Sequence, residues 1–524
     1  MELNTYLGQK GYTIPKNELT IEKQKQIRND LTIKPFVMGS PMNNEQKSFP
    51  AYRESSNKFY VPHYYGVENF GSPKQYKIEE GNNIDLEFNG KLRENQEIVV
   101  NTYIEHVNKV GFGGGLLELP CAYGKTVLSL NIISRLKKKT FIIVHKEFLM
   151  NQWIERIQQF LPKARVGKIQ GPIIDIDDKD IVIGMLQSLS MKEYPASTFE
   201  SFGLTIIDEV HHISSEVFSN SLFKLVTKYM LGLSATMNRK DGTTKVFKMF
   251  LGDVIFKGKR DEAREVVVHA IKYEVDDEEF NEVKTDFRGN PAYSTMISKL
   301  CEYNRRTEFI LKIVSDMLSV NPNQQIMILA QYKNILKYLH DAIAHRNIAT
   351  VGYYIGGMKE QALKATEGKK VVIATYAMAA EALDIKTLTT LIMATPKTDI
   401  EQSVGRILRE KHSSPVVVDI VDSHDLFQNQ WRKRKTFYKK ENYKIIYTNS
   451  ANYTPDTSKW LVVFNPSSSE TKKCVKKTSK NVSVNSNSSS DKSITNDSDE
   501  EIEIEEEKPK DKYLAGVCFL KMKK

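Results

Sequence analysis

Cysteine is scarce. Cys121, Cys301, Cys474 and Cys518 are the whole complement of 524 residues, too few and too scattered for a disulfide framework or a cysteine-based zinc site. No apolar run approaches the ~20 residues that a membrane-spanning helix needs. The opening MELNTYLGQKGYTIPK lacks the charged-then-apolar order of a secretory leader. These absences exclude secreted, membrane-embedded and collagen-like classes, and they predict a soluble enzyme of a reducing, intracellular compartment. At ~100–200 residues per domain the length allows about three domains with large cores.

Charge is what the chain has in excess. The net +10 hides an acidic block of −8 over 497–507 and a basic end of +5 over 508–524, which leaves +13 on the first 496 residues. A body this basic suits a polyanion, because each phosphate contact releases counterions. Plain solubility explains the same charge, and composition alone does not separate the two. The acidic block reads as a solvating tail, with competition for a nucleic-acid groove as the sharper alternative.

The pattern divides the chain into four segments. Residues 1–90 predict a small α+β module with an aromatic patch (Phe59, Tyr60, Tyr64, Tyr65, Phe70) that serves either its own core or base stacking. Residues 91–256 alternate short apolar runs with amphipathic stretches: LLEL (116–119), TFIIV (140–144), IVIG (181–184), LTII (204–207) and YMLGL (229–233). Residues 257–447 repeat the rhythm with QIMIL (325–329), VGYYI (351–355), VVIAT (371–375), LIMAT (391–395) and VVVDI (416–420). Apolar runs separated by helical patterns mark strands buried on both faces of parallel sheets, so two tandem α/β units are expected. Residues 448–524 fall into Ser, Asn, Lys and acidic residues and are expected to be mostly disordered, 466–510 above all. GFGGG (111–115) reads as a flexible turn before the first strand.

Chemistry concentrates at strand ends. Leu119-Pro120-Cys121-Ala122-Tyr123-Gly124-Lys125-Thr126 stands between a strand and a helical stretch, the strand–loop–helix arrangement that traps phosphate at a helix N-terminus. Lys125 is expected on the β/γ-phosphates and the Thr126 hydroxyl on Mg²⁺. Leu119 and Ala122 replace glycines usual in such loops. Asp208-Glu209-Val210-His211 follows LTII at the sheet edge where ligands sit; Asp208 is expected to hold Mg²⁺ and Glu209 to activate water for attack on the γ-phosphate. His211 and His212 find no further Cys or His cluster that would make a metal site. Gln96, in Leu92-Arg93-Glu94-Asn95-Gln96, offers an amide suited to an adenine edge. Ser234-Ala235-Thr236 places two hydroxyls at another strand end. In TDIEQSVGRILRE (398–410), Thr398 and Glu401 form a capping-box pattern, and Gln402, Arg406 and Arg409 would share one helical face. Paired arginines there are either a solvated face or arginine fingers, worth ~10³–10⁵ in rate. QWRKRKTFYKK (430–440) sets six bases among aromatics on a predicted helix and reads as a phosphate-contacting face.

In order and spacing, LRENQ, LPCAYGKT, DEVH, SAT, ATYAMAAEALDI (374–385) and QSVGRILR (402–409) resemble the motif series of superfamily 2 helicases over about residues 90–440. DEVH with LRxxQ and GRILR is similar to the XPB/UvsW-like branch, and the wider pattern resembles transcript-release helicases of poxviruses and other large DNA viruses. The resemblance implies two RecA-like domains, ATP and Mg²⁺. It further implies ATP contacts from Arg93, Gln96, the whole 119–126 loop, His211, Asp384 and Gln402. Ser234, Ala235, Thr236 and Glu381 would couple the nucleotide to Gln187, Ser188, Gly356, Gly357 and Thr375 on the nucleic acid. Arg239-Lys240-Asp241 stands near an Arg-Glu-Asp motif of XPB-type enzymes, and Ala382 replaces a usual glycine. The expectation is therefore an ATP-dependent helicase or translocase on DNA (RNA being the alternative), moving 3′ to 5′ in viral transcription or DNA repair. It would be a monomer, partnered by RNA polymerase or transcription factors, in host cytoplasm, viral factory or virion, or in a nucleus. An ATPase-inactive scaffold, and a remodeller that translocates without unwinding, are the competing readings.

Overall fold

The apolar runs become buried parallel strands. In this computed structural model, residues 3–35, 48–120, 123–213, 215–237, 242–258, 265–381, 385–408 and 415–466 are described. The expected disordered tail beyond 466, with its acidic block, and Arg239-Lys240-Asp241 lie outside the described residues.

The first lobe is an eight-stranded sheet in the order Ile173–Ile174, Val166–Gln170, Ile181–Met185, Thr140–Val144, Leu204–Ile207, Tyr229–Ser234, Gly113–Glu118, Val254–Lys257. Every neighbouring pair is parallel except the first. Strands such as TFIIV are wholly buried because helices cover both faces, one core centred on Trp153 and Leu231, the other on Phe141 and Phe218. The second lobe repeats the plan as Val351–Tyr354, Val371–Thr375, Ile326–Ala330, Thr390–Met393, Val416–Asp422, Val267–Tyr273, Lys444–Asn449, Leu461–Phe464, with only the last pair antiparallel. Among the described residues no helix is long and apolar enough to cross a membrane.

Several expectations need correction. GFGGG is not a turn: Gly113, Gly114 and Gly115 belong to the buried strand Gly113–Glu118. They are glycine because neighbours press close; a Cβ on Gly114 would stand 2.6 Å from the Met230 carbonyl oxygen, and one on Gly115 2.7 Å from Ile255. The tail does not begin at 448, since that boundary cuts the strand Lys444–Asn449, whose edge is then covered by Leu461–Phe464. Thr398 does not cap a helix. Ile400 occupies the N-cap of a single turn, Glu401–Val404, which tightens into a 3₁₀ turn over Gly405–Leu408, so no continuous α-helical face carries Gln402 and Arg406 together.

The N-terminal module is a five-stranded sheet with the helices Ile21–Asp30 and His63–Phe70. Its aromatic patch is largely packing. Phe59 and Tyr65 are core, Phe70 stacks on Tyr12, and the Tyr64 hydroxyl both accepts from the Gly114 N–H (2.6 Å) and donates to the Gly114 carbonyl (2.9 Å) of the first lobe. The helix Asp425–Lys440 is likewise two-sided: Phe427, Trp431, Arg434 and Tyr438 are buried, while Arg432, Lys439 and Lys440 remain exposed.

Candidate nucleotide site and lobe interface

The site forms where three strands of the first lobe end. After Gly113–Glu118 the chain turns through Gly124, in the left-handed region at φ +89°, into the helix Lys125–Leu136. Glycine is required there: a Cβ would lie 2.3 Å from Gln96 Nε2. Arg93 and Gln96 open the helix Glu94–Val110 and grip this loop from outside. Arg93 Nη2 and Gln96 Nε2 both donate to the Tyr123 carbonyl (2.5 and 2.8 Å), and the Arg93 N–H donates to Gln96 Oε1 (3.0 Å). Gln96 is thus buried and engaged at both ends of its amide, a loop-holder in this structure rather than an open adenine-reading edge.

The second strand, Leu204–Ile207, delivers Asp208 and Glu209. Glu209 also adopts a left-handed backbone, φ +50°, uncommon for a residue with a Cβ and characteristic of functional turns. Its Oε1 lies 2.7 Å from Lys125 Nζ, joining the two motifs, and its Oε2 lies 3.4 Å from His211 Nδ1. Asp208 is buried and accepts from the Trp153 indole N–H at 2.9 Å. Burial foremost, then the charge of Glu209, pushes the Asp208 carboxyl up to about 6, against the opposing pull of Lys125. The third strand, Tyr229–Ser234, ends at the Ser234 hydroxyl.

From there a directional relay crosses to the second lobe. Gln402 Nε2 lies 2.8 Å from His211 Nε2, and Ser234 Oγ lies 2.7 Å from His211 Nδ1 and donates to the Thr236 carbonyl. An amide nitrogen can only donate, so His211 accepts at Nε2 and carries its proton on Nδ1, which Ser234 accepts. The lobes also meet where Asn151 Nδ2 donates to Glu360 Oε2 (3.1 Å) and Lys364 pairs with Glu155 (2.9 Å).

Lys125, Asp208, Glu209, His211, Ser234 and Gln402 are therefore brought together. Other expected residues are not. Leu119 is a correction: its side chain packs in the lobe core and its N–H donates to the Ser234 carbonyl, so neither faces a ligand. The Tyr123 ring is also in that core, while the Pro120 carbonyl accepts from the Tyr123 N–H. Gln187 donates to the His145 carbonyl and Ser188 Oγ accepts from the Gly171 N–H, so both side chains are tied to their own lobe. Thr126 lies in the first turn of its helix, Ala235 is buried, Thr375 ends its strand, and Gly356–Gly357 form an exposed turn with Gly357 at φ +91°. Cys121, Ala122, Ala382, Asp384 and Arg409 lie outside the described residues, as do the side chains of Arg406 and Glu381.

The sequence reading missed Trp153 and two buried ion pairs that brace the approach to Gln402. Arg306 holds Asp422 in a fork (2.5 and 2.8 Å) and donates to the Ala394 carbonyl; Arg434 holds Asp419 (2.7 and 2.8 Å) and donates to the Lys397 carbonyl. The signal was present: VVVDIVD sets two carboxylates in a strand too apolar to leave them unpaired.

Two family descriptions match this chain: "Type III restriction enzyme, res subunit" over residues 89–239 and "Helicase conserved C-terminal domain" over 308–411. The chain is 35% identical over 460 residues to "Putative ATP-dependent RNA helicase L396" of Acanthamoeba polyphaga mimivirus, covering 84% of this chain and 86% of the relative. It is 27% identical to "Putative helicase 161L" of Invertebrate iridescent virus 6 (69% and 85% covered). It is 26% identical to "Putative ATP-dependent RNA helicase QP509L" of African swine fever virus (68% and 74%). The crystal structure of T4 UvsW aligns over 86% of this chain and 100% of that one, at 15% identity and a TM-score of 0.36. With the motif-bearing lobes and the long alignment to the mimivirus protein together, this chain belongs to the superfamily 2 helicases, related to those of large DNA viruses, and is an ATP-dependent helicase enzyme.

Proposed function

We propose that the chain is a nucleic-acid translocase in which Lys125 and Thr126 hold the ATP phosphates, Glu209 activates water, and Gln402 reports the state of that site to the second lobe. The observation that carries this reading is the hydrogen bond from Gln402 to His211, which links lobe two to the Lys125–Glu209 pair through one imidazole. When ATP arrives, its phosphates replace Glu209 as the partner of Lys125, and Glu209 is released to orient a water. His211, fixed in one tautomer by Ser234 and Gln402, stands between these events and the interface.

The oxygen donors fit a hard cation: Asp208 is a buried carboxylate whose charge is costly as it stands, and Thr126 opens the phosphate helix. Mg²⁺ held there would neutralise phosphate charge. Arg406 and Arg409 are assigned as fingers on the triphosphate, and Gly356, Gly357 and Thr375 as strand contacts; Gln187 and Ser188 would act through backbone groups. DNA is the proposed track, with 3′-to-5′ movement in viral transcription or repair. RNA is the second reading, favoured by the names of two relatives, each called a putative ATP-dependent RNA helicase.

Phosphate release measured with single- and double-stranded DNA and RNA, at two salt concentrations, tests this. Stimulation by DNA that is lost in Lys125→Ala is the expected result. No stimulation by any polymer overturns the translocase reading, and stimulation by RNA alone overturns the choice of track. Arg406→Ala should depress kcat far more than ATP affinity; equal loss of both removes the finger role.

A further inference from the structure

The second lobe contains a partly open cavity of about 500 Å³ that none of this chemistry uses. It lies at the amino end of the sheet, beside His269, Thr389, Thr390 and Val416 at the strand starts, whereas Gln402 lies beyond the carboxyl ends. The last two turns of the helix Asn304–Val320 form one wall, and the segment carrying Tyr453 and Trp460 closes the other. Its size falls within the ~300–1,000 Å³ usual for small-molecule sites.

What lines it narrows the ligand. Three aromatic rings meet there, tilted rather than parallel: Trp460 stands 5.2 Å from His269 at 60° and 5.8 Å from Tyr453 at 63°. These edge-on contacts include no parallel pair that could sandwich a base, and they gather aromatic surface along one wall of the cavity. Asp316 is the only charged side chain among the described lining residues, and no lysine or arginine lines the cavity, which disfavours an anion. Lys312 stands over the Tyr453 ring at 5.5 Å without belonging to the lining.

Most other polar groups are already satisfied. Gln324 donates to the Met317 carbonyl and accepts from Thr390, and Thr389 exchanges hydrogen bonds with the Gln325 backbone. His269 is different: no described residue hydrogen-bonds its ring, and burial lowers its pKa to about 4, so it is a neutral imidazole. Ile313, Met317 and Val320 supply an apolar wall.

The geometry points to a binding site for a small alkylammonium cation, its charge against Asp316 and beside the rings of Tyr453 and Trp460 that line the cavity, its hydrocarbon body against Ile313, Met317 and Val320. The site is independent of the nucleotide cleft and does not rest on the translocase assignment.

The 524-residue chain, saturated with ADP, is titrated by calorimetry with choline, with butylammonium and with 3,3-dimethyl-1-butanol, the uncharged isostere of choline. At least one cation should bind one site in the millimolar range or tighter, with the neutral isostere about tenfold weaker. Asp316→Asn, which keeps the side chain's shape, should weaken the cation about tenfold while leaving the isostere and ADP unchanged. Failure of both cations to saturate, equal affinity for choline and its isostere, or an unaltered cation affinity in Asp316→Asn each overturns the assignment.

Discussion

Glu209→Gln should move ATP affinity and turnover in opposite directions. In the wild type the Glu209 carboxylate is the partner of Lys125 at 2.7 Å, with side chains 12% (Lys125) and 23% (Glu209) exposed, so ATP must first displace it. In a part-buried pair desolvation offsets most of the attraction and leaves a net of about 1 kcal/mol, hence about fivefold in affinity when the competing charge is removed. Glutamine keeps the shape and still accepts from Lys125, so the gain will not exceed that. With Glu209 as the proposed general base, turnover should fall by about 10²–10⁴. Equilibrium titration with a fluorescent ATP analogue gives the first quantity, and steady-state phosphate release with saturating nucleic acid gives the second. If affinity falls along with turnover, Glu209 supports the nucleotide rather than competing with it, and the displacement argument fails.

Gln402→Ala removes one half-buried hydrogen bond to His211, so the nucleic-acid-stimulated rate should drop by about tenfold with basal turnover nearly unchanged; an equal fall in both would place Gln402 in the chemistry itself. Asp208 has a folded-state pKa of about 6, raised above its unfolded value, so its charge destabilises the fold above pH 6 and the penalty is relieved as pH falls towards 4. Asp208→Asn should therefore raise the free energy of unfolding at pH 8 by an amount on the order of 2 kcal/mol, read as a higher unfolding midpoint, and have little effect at pH 4.5; scanning calorimetry at the two pH values decides it. Arg434→Met strands the buried Asp419 carboxylate and should destabilise the second lobe by about 3–5 kcal/mol, with Arg434→Met/Asp419→Leu recovering much of the loss in thermal unfolding.

The alternation of strand and helix was legible because doubly covered parallel strands must be mostly apolar, and TFIIV, LTII and VVIAT each carry only a single threonine. The motif-bearing loops were legible because strand–loop–helix context gives Lys125 and Glu209 a position as well as an identity. Gly113–Gly115 were misread because tight backbone approach, which a sequence does not display, is what excludes side chains there. The turn at 401–408 was misread because an i, i+4 pattern is silent about whether the helix tightens. Long-range partners were the least legible: nothing local to Arg306 points to Asp422, and nothing local to Trp153 points to Asp208. The aromatic patch of residues 59–70 had two explanations, and packing against Tyr12 and Gly114 accounts for most of it.

The phenol of Tyr64 closes a gap in the first lobe's ladder, since Val254–Lys257 pairs with the neighbouring strand only from Leu116 onward and leaves Gly114 facing the N-terminal helix. A truncation that kept only the two lobes would bare that amide, while the carbonyl keeps His106 Nε2 at 3.2 Å, and an unpaired edge N–H invites another chain's strand. The same strand runs directly into the loop before Lys125, so losing that phenol would be felt at the start of the proposed phosphate loop as well as at the sheet edge.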